Sequence, residues 1–188
     1  MNWVEELFKI MTGGFTKDKL RQAGAGDDAI SGAITTAVDL PTGYNAAHEE
    51  NNIRTNIVQF CRSELGKPYK LGIEILPGRE ADSPATDCSE LVEMCYRMAG
   101  VTIPDGSNFQ YDFCQKVHIG KAGDLHFLWS EKWSRIGHVM VDTGEGTVVH
   151  AVAGRGVVED PLIQWTGHPR YRGVRRHPEF SRPPEDRA

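Results

Sequence analysis

The run G-H-V-M-V-D-T-G-E-G-T-V-V-H-A-V-A at residues 137 to 153 limits the fold more than any other stretch. Two apolar segments, His138 to Asp142 and Thr147 to Ala153, flank a turn of two glycines and two polar residues, which reads as a β-hairpin. Each strand carries one histidine inside an apolar pattern. Because side chains alternate between faces, the turn decides whether His138 and His150 meet. A loop with an odd number of residues, such as Thr143 to Glu145 with Gly146 as a bulge, pairs residue 142 with 146 and 138 with 150. A two-residue loop sends the imidazoles to opposite faces. The glycines suit the bulged form.

Upstream, the chain reads as helices. Ile53, Ile57, Phe60, Cys61 and Leu65 form one apolar face that Gly66 and Pro68 close. Asp87 and Glu90 stand as a capping box, which starts a helix over about 88–99 with Cys88 at its first position. Leu91, Val92, Cys95 and Met98 supply its buried face, and Gly100 ends it. Weaker helical patterns span 3–11, 27–38 and 109–117, with a loop at 76–86. Further strands fit Leu125 to Trp129, residues 157–158 and Tyr171 to Val174. The expected organisation is a helical segment at 1–45, one α+β domain at 50–176 and a mobile tail at 177–188.

Composition narrows the chemistry. A formal charge of -5 across 188 residues argues against binding by phosphate neutralisation, so no nucleic acid is expected. Four cysteines without a C-x-x-C pair are too few for a disulfide scaffold and read as free thiols. No stretch reaches the length of a membrane anchor, and the N-terminus lacks the pattern of a signal peptide. Synthesis as a soluble protein in the cytoplasm is the expectation.

A cysteine at a helix start meets unpaired N–H groups and the positive end of the dipole, which favour thiolate. Cys88 is therefore the nucleophile candidate, His138 a base and His150 the group that orients it. Cys61 and Cys95 fall on apolar helix faces and read as filler. His118, His126, His168 and His177 read as surface or partner-satisfied residues, and Trp129, Trp133 and Trp165 as packing or rim residues. The arginines at 170, 172, 175 and 176 read as a solvated face. Zinc held by Cys88, His138 and His150 lacks the close ligand spacing usual in such sites.

T-D-C-S-E-L-V at 86–92, G-D-L-H-F at 123–127, G-H-V-M-V and V-V-H-A, in this order, resemble the NlpC-type papain-like cell-wall peptidases. The resemblance spans about residues 53–153. It implies a papain-like α+β fold with an antiparallel sheet packed on the nucleophile helix. It assigns Cys88 as nucleophile, His138 as base and His150 as its orienting partner. Tyr69, in G-K-P-Y, matches a tyrosine that reaches the active site, Ser89 the motif serine, and Asp124 a structural aspartate. The implied activity is hydrolysis of stem-peptide amide bonds in bacterial peptidoglycan, next to D-glutamate, without a cofactor. The backbone N–H of Cys88, helped by Tyr69, would hold the oxyanion. A substrate outside the membrane implies delivery as a phage lysin, as part of a virion or through a secretion apparatus. The alternatives are a muramoyl-alanine amidase, an acyl-transfer enzyme with the same triad, or an inactive wall-binding component. Departures from the motifs, Glu90 in place of Gly and Lys70-Leu71-Gly72 after Tyr69, lie beside the nucleophile and bear on the substrate subsites.

Overall fold

The computed structural model describes residues 42–181, with side chains from residue 47. The chain divides into two units, 1–47 and 48–188, and the second is the subject here. The helical segments expected at 3–11 and 27–38 lie outside the described residues.

Helix α1 (Thr42–Ser63) begins well before the apolar pattern that marks it, because the polar stretch after Pro41 gives no period to read. Helix α2 (Cys88–Met98) starts where expected. A short helix α3 (Ser107–Phe113) follows, and then strand β1 (Gln115–Val117). Residues 115–117, read as helical, are an edge strand instead. Strands β2 (Leu125–Ser130), β3 (Arg135–Asp142), β4 (Thr147–Val152), β5 (Gly156–Pro161) and β6 (Tyr171–Arg176) complete one sheet. A single turn, α4 (Ile163–Thr166), separates β5 from β6. The sheet is antiparallel throughout, in the order β1-β6-β2-β3-β4-β5.

One face of the sheet holds the core. Leu91, Val92 and Cys95 of α2 pack with Val139 and Val141 of β3 and Val149 and Ala151 of β4, together with Ile57 and Cys61 of α1. This is the antiparallel sheet on helix that an α+β reading requires. Met98, expected in the buried face, is 42% exposed because the helix has left the sheet by its last turn. A smaller cluster of Leu128, Met140 and Val148 forms on the opposite face under Leu162, Trp165 and Tyr171.

Asp124 fastens the layers. Fully buried, it accepts hydrogen bonds from Arg54 of α1 at 2.9 Å, from Arg176 of β6 at 2.7 and 3.0 Å, and from the backbone N–H of Lys121. A buried carboxylate met by two guanidinium groups is satisfied on every lone pair, so it joins helix to sheet without an uncompensated charge.

The tail expected from residue 177 keeps its first five residues in the fold. Helix α5 (Pro178–Ser181) buries Phe180 beside Tyr96 with the Arg54 guanidinium over its ring, and His177 pairs with the carbonyl of Thr102 at 3.0 Å. An aromatic residue with a core pocket to fill outweighs the breaking tendency of the prolines around it. Residues 182–188 lie outside the described part. Among the described residues, no helix is long and apolar enough to cross a membrane.

Candidate active site

Cys88 is the first residue of α2. Asp87 caps the helix by accepting the N–H groups of Ser89 and Glu90 at 3.0 Å, and its second oxygen accepts the N–H of Gly72 at 2.8 Å. Only half of the expected capping box forms. Glu90 does not reach back to Asp87; it turns inward, 2% exposed, and accepts the N–H of Ile75 at 3.1 Å. The two carboxylates thus draw the 72–75 loop across the start of the helix. Burial, with the Glu93 charge adding to it, pushes the Glu90 carboxyl up to about 7.

Tyr69 arrives by backbone pairing. The Gly66–Lys67 segment exchanges hydrogen bonds with Val157 at 2.9 Å, and Tyr69 then bridges Thr86 two residues before the cysteine. Gly156 permits this approach, since a Cβ there would come within 2.5 Å of the Lys67 carbonyl oxygen. Burial and the neighbouring Cys88 and Asp87 push the Tyr69 phenol up to about 12, so its hydroxyl remains a donor. Ser89 donates its hydroxyl to Asp87 at 3.0 Å, while its carbonyl accepts from the buried Gln110 at 3.1 Å.

Strand β3 delivers His138 through a bulge. Leu128 pairs with His138 but Trp129 pairs with Ile136, which leaves Gly137 as the extra residue. A Cβ at Gly137 would lie 2.4 Å from Ser130 Cβ and 2.9 Å from the Trp133 ring, so only glycine fits. The hairpin closes with Val141 opposite Val149 and Asp142 opposite Val148. Its loop is odd, Gly144 to Gly146, so the histidines share a face as expected. The register lies two residues from the expected pairing of 142 with 146, because Thr143 and Thr147 close the turn through backbone and hydroxyl contacts. Extended along both strands, the observed register puts His150 diagonal to His138. His138 Nε2 lies 2.8 Å from His150 Nδ1, at hydrogen-bond distance.

The network continues across the sheet. His150 Nε2 lies 3.1 Å from Asp160 Oδ2, and Arg155 holds both oxygens of Asp160 at 2.8 Å. Trp165 closes this face with ring centroids 5.0 Å from His150 and 6.3 Å from His138. The sequence reading missed Asp160 and Arg155, and it gave Trp165 a packing or rim place without linking it to the histidines. Two adjacent acidic residues, Glu159 and Asp160, close the apolar start of β5, and strand alternation puts only one of them on the histidine face; the register of Asp160 opposite Val148 shows that it is Asp160.

Cys88 lines a cleft of about 430 Å³ whose walls include Leu71, Glu74, Ser89, Glu90, Phe109 and Trp133. Trp133 is therefore a rim residue. The backbone N–H of Val139, the residue after His138, favours the Cys88 thiolate against the effect of burial, so the thiol stands beside the strand that carries the base. No hydrogen bond joins the Cys88 thiol to either imidazole among the described residues. The thiolate expected from the helix start is opposed: burial, with the Asp87 charge adding to it, pushes the Cys88 thiol up to about 12. Burial, followed by His150, lowers His138 to about 3. The resting pair is thus neutral thiol and neutral imidazole.

The remaining candidates lie elsewhere. His126 is partner-satisfied, between Tyr171 at 2.6 Å and Asp142 at 2.8 Å. Among the described residues, the groups close enough to share a cation are Glu74, Glu90 and Asp105, and not the set of Cys88, His138 and His150.

Residues 66–176 match the model of the NlpC/P60 family. The chain is 30% identical over 123 residues to a probable endopeptidase of Corynebacterium glutamicum, covering 64% of this chain and 53% of the relative. A crystal structure of an NlpC/P60 family protein from Bacillus cereus superposes with a TM-score of 0.52 at 25% identity, over 66% of this chain and 40% of that one. The peptidoglycan hydrolase RipB of Mycobacterium tuberculosis shares the fold with a TM-score of 0.54 at 24% identity, over 85% of this chain and 90% of RipB. The match covers more than half of the chain and includes the cysteine, both histidines and the sheet that carries them: this chain belongs to the NlpC/P60 family, with its papain-like α+β fold. It spans about half the length of the curated Corynebacterium relative.

Proposed function

We propose that the domain is a cysteine peptidase that hydrolyses amide bonds in the stem peptides of bacterial peptidoglycan, next to D-glutamate. The observation that carries this reading is the placement of Cys88 at a helix start in an open cleft, with a hydrogen-bonded imidazole pair beginning one residue from the Val139 peptide. Family membership, the endopeptidase relative and the shared fold of a peptidoglycan hydrolase support the substrate class.

The chemistry follows from the neutral resting pair. His138 Nδ1 takes the thiol proton as the sulfur attacks the amide carbonyl carbon, so proton transfer accompanies attack. The Cys88 backbone N–H and the Tyr69 hydroxyl stabilise the developing oxyanion. The imidazolium returns its proton to the amine as the C–N bond breaks, leaving a thioester. Water then attacks, His138 takes its proton, and the acid leaves with the thiol restored. His150 orients His138 throughout, and Ser89 offers the substrate a hydroxyl on the cleft wall.

Digestion of purified peptidoglycan with mass analysis of the soluble fragments tests the reading. Fragments cut beside D-glutamate support it. Cleavage between muramic acid and alanine would make the domain an amidase. No thiol-dependent release would make it a wall-binding component.

A further inference from the structure

The imidazole pair ends on a carboxylate that the proposed chemistry does not use. Asp160 stands 7% exposed on β5, accepts two parallel N–H bonds from Arg155 at 2.8 Å, and shares Oδ2 with His150 Nε2 at 3.1 Å. We infer that Asp160, fixed by Arg155, is a positioning residue that sets the tautomers of both histidines and so leaves the lone pair of His138 on Nδ1; this rests on the peptidase reading above.

The inference follows from counting donors. The Arg155 fork holds the Asp160 carboxyl down to about 2, so it is ionised and can only accept. His150 Nε2 must then carry the hydrogen. In a neutral imidazole this makes Nδ1 the acceptor, and the atom facing it, His138 Nε2, becomes the donor. His138 is neutral as well, so its Nδ1 bears the lone pair. One carboxylate thus determines, two rings away, which nitrogen acts as base. Trp165, packed edge-on against His150, helps hold the ring plane that this chain of hydrogen bonds needs.

Removing the carboxylate makes the inference testable. In Asp160→Ala no acceptor fixes the hydrogen on His150 Nε2, so each ring populates both tautomers and part of the protein carries the His138 hydrogen on Nδ1. Arg155→Ala keeps the Asp160 acceptor beside His150 and so keeps both rings protonated at Nε2.

The experiment labels the full chain with ¹⁵N-histidine. It reads the tautomers of His138 and His150 by long-range ¹H–¹⁵N correlation in wild type, D160A and R155A, alongside stem-peptide hydrolysis and melting. The expected result has both rings protonated at Nε2 in wild type and in R155A, and a substantial Nδ1-protonated population of both rings in D160A. The kcat of D160A should fall by at least about tenfold with KM little changed, and that of R155A should fall less. Wild-type tautomers in D160A, or loss of the Nε2 tautomers in R155A equal to that in D160A, overturn the inference. Loss of the Nε2 tautomers in D160A, alongside a wild type that keeps them but hydrolyses nothing, sustains the positioning role and defeats the peptidase reading instead.

Discussion

Gly137 and Ser130 face each other across the β2–β3 bulge so closely that a Cβ on Gly137 would lie 2.4 Å from that of Ser130. The bulge turns the end of β3 and sets where His138 leaves the strand. Gly137→Ala should therefore destabilise the domain by about 1–3 kcal/mol, the usual range for overpacking, and lower hydrolysis more than its melting shift explains. Adding Ser130→Gly removes the closest contact and should recover part of both losses. Melting curves and rates for the single and double variants check this; a silent Gly137→Ala would show that the bulge does not set the geometry.

Glu90 contributes to stability with a definite sign. Its carboxyl is raised above its unfolded value to about 7, so the folded state favours the protonated form. That contribution is present at low pH and is lost as pH rises through about 7. Glu90→Gln should be more stable than wild type at pH 8 by about 1–3 kcal/mol, with the advantage shrinking toward pH 5. Differences between the two denaturation curves at each pH isolate this effect from the histidines, which both proteins share. An advantage that grows as pH falls would reverse the assignment.

The buried thiol makes a kinetic claim. With Cys88 raised to about 12, alkylation by a small neutral reagent should climb about tenfold per pH unit from 7 to 9 without a plateau. Cys88 should still react before Cys61, Cys95 and Cys114, because it alone of the four lines the cleft. Peptide mapping after timed alkylation reads both features. A plateau near neutral pH would mean a preformed thiolate–imidazolium pair.

Local rules made much of the site legible in the sequence. The start of α2, the hairpin and the shared face of His138 and His150 follow from a cap residue and from strand parity, and both act within a few residues. What escaped depends on longer range. The register moved by two residues because the two threonines, and not the glycines, close the turn. Glu90 left its cap because the N–H of Ile75 offered it a buried partner. The thiolate expected at the helix start gave way to burial, which depends on how α2 packs on β3. Asp160 and Trp165 reach the histidines through the β4–β5 pairing and the turn that follows, and one strand read alone does not show this.

Rates of amide hydrolysis by wild type and Cys88→Ala on purified peptidoglycan test the central claim most directly, with each protein first shown to melt alike. Wild type should release stem-peptide fragments in a thiol-dependent reaction. Cys88→Ala, which removes only a sulfur from a site beside the cleft, should release none above background. Fragment release by Cys88→Ala at the wild-type rate would contradict the assignment of Cys88 as nucleophile and the mechanism built on it.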